Sequence, residues 1–154
     1  MVEKFTLKRS VEVEVACSVE QVYALWENLE NVPRWMPLVK QVRRLPGDEE
    51  LWHWTVGLGF PLVTEWNAQV TQRIPLRLIA WKSVTGLPNQ GSAEFFPTQD
   101  GCRLRLTLAF ELPKGILGIF LGKIGLDRWL EENLAASLHQ FQSQIETEVL
   151  RQGN

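Results

Sequence analysis

Residues 127–151 read DRWLEENLAASLHQFQSQIETEVLR. In this stretch Leu130, Leu134, Leu138, Phe141, Ile145 and Val149 follow one another at steps of four, four, three, four and four, which keeps them on one stripe of an α-helix. The other side carries Glu131, Glu132, Gln140, Gln142, Glu146 and Glu148 and belongs in water. At about 1.5 Å per residue the helix runs roughly 35 Å, enough to cross a small sheet from end to end. Its apolar stripe must be covered, either by a sheet of the same chain or by a second copy in a homodimer.

Upstream lies material for such a sheet. Val11, Val13 and Val15 alternate with Glu12 and Glu14, the pattern of a strand with one dry and one wet face. Ser18 and Gln21 then have the spacing of a capping box, ahead of the apolar series Val19, Val22, Tyr23, Trp26 and Leu29. Asn31, Val32 and Pro33 restart the chain into a second short helical turn, which Pro37 stops. Strands are expected over 39–45, 51–58, 62–73, 77–84, 92–96 and 103–111, with turn chemistry at 46–48, 59–61, 74–75, 86–91 and 100–101. Connections this short favour antiparallel hairpins over the longer crossovers of parallel strands.

The order strand, two small helices, six strands and long helix is an α+β layer architecture. In the last strand Leu104, Leu106, Leu108 and Phe110 alternate with Arg103, Arg105, Thr107 and Glu111. If the first strand pairs antiparallel with it, Glu12 and Glu14 meet Arg103 and Arg105 on the outer face, each pair contributing about 0.2–1 kcal/mol. The same register brings Cys17 and Cys102 to the inner face near one end. Free thiols and a cross-strand disulfide are then the two alternatives.

With 154 residues, 45% of them hydrophobic, the chain has the size of one domain, 1–154. Its net charge of −2 and the absence of any basic cluster longer than Arg43-Arg44 argue against a nucleic-acid partner. No signal-peptide pattern and no apolar run of about 18 residues is present, so a soluble cytoplasmic protein is expected. The two cysteines and two histidines lack metal-ligand spacing, and no glycine-rich phosphate loop occurs, so neither metal nor cofactor is expected.

Three segments together resemble a known group. They are Ile79-Ala80-Trp81-Lys82-Ser83 followed by Gly86, Asn89, Gly91, Phe95 and Arg103-Leu104; Trp26 through Pro37; and Val63-Thr64-Glu65-Trp66-Asn67-Ala68. They are similar to the START-like, or SRPBCC, superfamily in its polyketide cyclase/dehydrase and coenzyme Q-binding branch, over roughly 11–149. The resemblance implies the helix-grip fold, a curved seven-stranded antiparallel sheet around the C-terminal helix with two small helices closing one end of a cavity. It implies a small hydrophobic ligand, a lipid, isoprenoid, quinone or polyketide-like molecule.

Strand phase bears on whether such a cavity reacts or only holds. Trp52, Trp54, Val56 and Leu58 share one face and leave His53 on the other; Trp66, Ala68 and Val70 share a face and leave Glu65 opposite. Glu94, Arg103 and Arg105 also fall outside, and His139 sits at the margin of the helix stripe. General acid–base chemistry needs a titratable group within reach of the substrate, and the inner face offers almost none. A carrier, chaperone or sensor is therefore expected ahead of a cyclase/dehydrase-type enzyme or an interaction module with a collapsed cavity.

The expected ligand-binding residues are Trp35, Met36, Trp54, Trp66, Trp81, Phe95, Leu106, Trp129 and Asn133, since indoles combine wide contact area with one N–H donor. Segment 115–125 is apolar and punctuated by glycine. It is the expected gate, with Gly115, Gly118, Phe120 and Gly122, and the part that would touch a membrane surface transiently; a buried helical turn or a dimer contact is the alternative.

Overall fold

The computed structural model describes residues 3–47, 50–59, 62–118, 120 and 122–152. Residue 48 of one expected turn, residues 60–61 of another, and residues 119 and 121 of the expected gate lie outside the described residues. The elements are β1 (Lys4–Val15), α1 (Val19–Glu27), a 3₁₀ turn (Leu29–Arg34), β2 (Val39–Arg44), β3 (Leu51–Gly59), β4 (Leu62–Ile74), β5 (Leu78–Gly86), β6 (Asn89–Thr98), β7 (Gly101–Pro113), a second 3₁₀ turn (Lys114–Gly118) and α2 (Lys123–Gln152).

All seven strands form one antiparallel sheet in the order β1-β7-β6-β5-β4-β3-β2, and α2 lies along β1. This is the helix-grip arrangement. Glu12 stands opposite Arg105 and Glu14 opposite Arg103. The Glu12 carboxylate reaches Arg105 Nε at 2.8 Å and Arg103 Nε at 3.9 Å. Ser18 caps α1 through both bonds of the capping box: its Oγ accepts from Gln21 N, and Gln21 Oε1 accepts from Ser18 N.

Three sequence expectations change, for β1, α2 and His139, and the choice between free thiols and a disulfide is settled. β1 begins at Lys4, well before Val11, and Phe5 and Leu7 continue its inward row. Arg9 interrupts that row as a cation at an inward position, where its Nη2 meets the Asp127 carboxylate of α2 at 2.8 Å. α2 begins at Lys123 instead of 127, because Gly122 turns the chain at φ +103° and its carbonyl accepts from Leu126 N. Cys17 and Cys102 are both free and buried, so the disulfide is not formed; burial pushes both thiols above the usual cysteine range. His139 is exposed and packs against nothing that would bury it.

The register defines two ends. At one, Lys4 faces Pro113, Asn89 faces Phe110, Trp66 faces Gly86 and Gly57 faces Val63; the second 3₁₀ turn and the start of α2 lie here too. At the other, Val15 faces Cys102 and Ile74 faces Leu78, α1 packs across β6 and β7, and α2 finishes.

Candidate ligand cavity

The second end is solid. Phe141 of α2 meets the Trp35 ring at 4.8 Å and the Trp26 ring at 5.8 Å, while Tyr23 of α1 stands edge-on to Phe95 at 5.2 Å. Polar ties hold the helix around this cluster. Gln142 Nε2 donates to the Glu14 carbonyl (2.7 Å), Glu146 accepts from Ala16 N (3.0 Å), and Arg34 pairs with Glu148 at 2.6 Å.

The first end is not filled. Between the sheet and the N-terminal half of α2 lies a cavity of about 70 Å³ bounded by 22 residues. Leu7, Val56, Leu106, Leu108, Phe110 and Leu112 come from the inward rows of the strands; Leu126, Trp129, Leu130 and Leu134 come from α2; Ile116 and Phe120 come from the connecting segment. Its widest wall is a ladder of rings. Trp54 stacks on Trp66 (6.2 Å, 15°) and on Trp81 (5.8 Å, 22°), and Phe110 meets Trp66 edge-on at 6.1 Å. Gly91 makes this possible, because a Cβ there would lie 2.7 Å from the Trp81 ring and from Leu108 Cδ2. Phe120 closes against Trp129 at 5.0 Å.

Polar endowment is sparse. Among the described residues none of the lining side chains is ionisable, and Asn89 is the one amide, its Nδ2 donating to the Leu87 carbonyl at 2.8 Å. The indole N–H groups of Trp26, Trp54 and Trp66 are buried without a partner. Burying an N–H unpaired costs roughly 1–3 kcal/mol, and the indoles of Trp35 and Trp52, outside the cavity lining, are buried in the same way. His53 stays on the outer face, where its Nδ1 donates to Asn67 Oδ1 at 2.7 Å and its Nε2 lies 3.7 Å from Glu65.

Of the residues expected from the sequence, the structure gathers Met36, Trp54, Trp66, Trp81, Leu106 and Trp129 around the cavity. It places Trp35, Phe95 and Asn133 elsewhere. Trp35 and Phe95 are committed to the aromatic packing of the solid end. Asn133 turns its Nδ2 back to the Trp129 carbonyl, 2.8 Å away on its own helix. Within the expected gate, Phe120 is a wall residue, Gly115 and Gly118 belong to the 3₁₀ turn with open space around them, and Gly122 provides the bend into α2. Sequence reasoning missed Asn89 and Trp26 as lining residues; the place of Asn89 between Gly86 and Gly91 in the motif was the available signal for the first.

Comparison with known proteins agrees with this fold. Residues 15–136 match the family model described as polyketide cyclase / dehydrase and lipid transport. An uncharacterized 17.2 kDa protein of Streptomyces lincolnensis is 24% identical over 135 residues, covering 87% of this chain and 86% of its own. The structure of a START superfamily protein from Mycobacterium smegmatis superposes with a TM-score of 0.69 at 19% identity, covering 91% of this chain and 98% of that one. The Zhui aromatase/cyclase from Streptomyces sp. R1128 superposes with a TM-score of 0.67 at 17% identity, covering 96% of each. Among the described residues no helix is long and apolar enough to cross a membrane.

Proposed function

Because the chain belongs to the polyketide cyclase / dehydrase and lipid transport family, we propose that it binds a small hydrophobic molecule, of the lipid, isoprenoid, quinone or polyketide class, and carries, protects or senses it. The observation that carries this reading is the lining: among the described residues it is apolar and aromatic with no ionisable side chain. Burial at about 25 cal/mol per Å² of apolar surface supplies affinity there. A cyclase or dehydrase step would need a proton donor or acceptor in reach of the ligand, and the lining supports retention better than proton transfer.

At about 70 Å³ the cavity is smaller than the roughly 300–1,000 Å³ that drug-sized ligands occupy. Entry therefore requires the wall to yield. The wall formed by Ile116 and Phe120 is the natural place, since its glycines have open space around them while the opposite end of α2 is tied down.

The test is titration of tryptophan fluorescence with palmitate, a short-chain ubiquinone and a polycyclic anthraquinone, together with native mass spectrometry of protein purified from its own host. Saturable quenching by at least one probe is expected, weakened about tenfold by Trp54→Ala through lost ring contact. Absence of saturable binding together with an empty protein in the mass spectrum would sink the reading, and chemical alteration of a probe on incubation would favour the enzyme.

A further inference from the structure

The cavity end differs from the solid end on its outside as well as its inside. Val63, Val84 and Ile124 are 64%, 54% and 76% exposed; the strand register sets Val63 and Val84 at the cavity end, where α2 with Ile124 also begins. The cavity half carries Lys4, Lys8, Lys40, Lys82, Lys123 and Arg128 against the carboxylates Glu65, Glu111, Glu131 and Glu132, while Arg9 pairs with Asp127 and Lys114 with Glu3. The solid end exposes aliphatic side chains too, at Ile74, Leu76 and Leu150, beside Arg73, Arg77 and Arg151, but among the described residues that half carries ten carboxylates against eight arginines. Exposed apolar surface alone therefore does not set the two ends apart. Its combination with a cationic rim and with the apolar cavity does.

We infer that the rim of the cavity end is a docking surface for an anionic lipid bilayer. Aliphatic side chains enter the interface between headgroups and acyl chains, while lysines lay their methylene stems along it and keep their ammonium groups at the phosphates. Each lysine near an anionic leaflet contributes about 1 kcal/mol, a factor of roughly five in partitioning. Ile124 occupies the first turn of α2, directly beside the wall made by Ile116 and Phe120, so insertion there would draw on the element through which a ligand must pass. The acidic solid end is repelled by the same surface, which orients the protein with its cavity toward the lipid. The docking goes beyond the proposed ligand binding and does not require a particular ligand.

Co-sedimentation with vesicles of phosphatidylcholine, alone or mixed with phosphatidylserine, tests it on the full chain. Binding to the mixed vesicles, falling as salt is raised, is expected. Ile124→Asp should weaken it by about tenfold or more, and Lys4→Ala with Lys123→Ala by about 25-fold. Leu150→Asp, at a position 71% exposed on the same helix but at the acidic end, should leave it unchanged. No binding, equal binding to both vesicle types, or equal losses from Ile124→Asp and Leu150→Asp would each overturn the proposal. So would a dimer that Ile124→Asp dissolves, because a second copy would then cover the patch. Retained probe quenching in Ile124→Asp separates a failure of docking from a failure of the cavity.

Discussion

α2 is one helix in two environments. Its C-terminal half is held by Phe141 between two indoles and by three side-chain ties, to Glu14 in β1, to Ala16 just after it and to Arg34 at the end of the first 3₁₀ turn, whereas its N-terminal half spans a cavity and is fastened by the Arg9–Asp127 pair. The difference teaches that a single stripe of leucines can serve two purposes. Where small helices cross the end of the sheet, the stripe completes a core; where nothing crosses, it becomes a wall. Packing density near that of crystals is expected in the first region, and tolerance of added volume in the second.

The strongest way to break this contrast is to remove the ring at the centre of the solid end. Phe141→Ala should cost about 3–5 kcal/mol, read as a shift in the urea midpoint at unchanged slope; a loss under about 1 kcal/mol would mean the solid end is itself loosely packed. The next comparison uses two leucines one turn apart. Leu138 is 1% exposed in the solid region, while Leu134, 3% exposed, borders the cavity. Leu138→Phe should destabilise by about 1–3 kcal/mol through overpacking. Leu134→Phe should cost less and should reduce probe binding by filling the space; equal costs would show that the cavity cannot accept another ring.

How much of this was legible in advance follows from what sequence patterns encode. Alternation gives the face of a strand, so Leu104, Leu106 and the inward tryptophans were assigned correctly. It does not give height along the sheet. Phe95 and Leu106 share the inner face, yet one packs under α1 and the other borders the cavity, because only pairing register and the path of α1 decide which level is filled. Trp35 was misplaced for the same reason, being adjacent to Met36 in sequence while facing Phe141 in space. The first half of β1 escaped notice because Arg9 breaks the apolar alternation, and its reason for facing inward, Asp127, lies 118 positions away in the chain. Long-range ion pairs leave no local signal.

That ion pair offers a smaller test. Asp127→Asn removes the charge opposite Arg9, and since both side chains are partly exposed the loss should be no more than about 1 kcal/mol. The informative readout is hydrogen exchange: amides over 123–134 should exchange faster while those over 138–149 keep their protection. Uniform acceleration along the helix would mean that its two halves open together, and the contrast would fail.

The smallest effect belongs to the solid end and depends on pH. Glu50 accepts from Arg73 Nη2 at 2.7 Å and Nε at 3.0 Å, and Arg73 Nη1 also donates to the Glu27 carbonyl at the end of α1. The hydrogen bond from Arg73 holds the Glu50 carboxyl below the ordinary glutamate range. A carboxyl lowered in the folded state stabilises above its unfolded pKa, and that contribution fades as the pH falls through the folded value. Glu50→Gln should therefore lower stability at neutral pH, by at most about 1 kcal/mol for a pair this exposed, and the gap to wild type should close in acid. Because the pair ties α1 to the solid end, probe affinity at the cavity should stay level between the two proteins across the same acid range. An affinity gap that opened and closed with the stability gap would show the cavity wall to be coupled to the packing beneath α1.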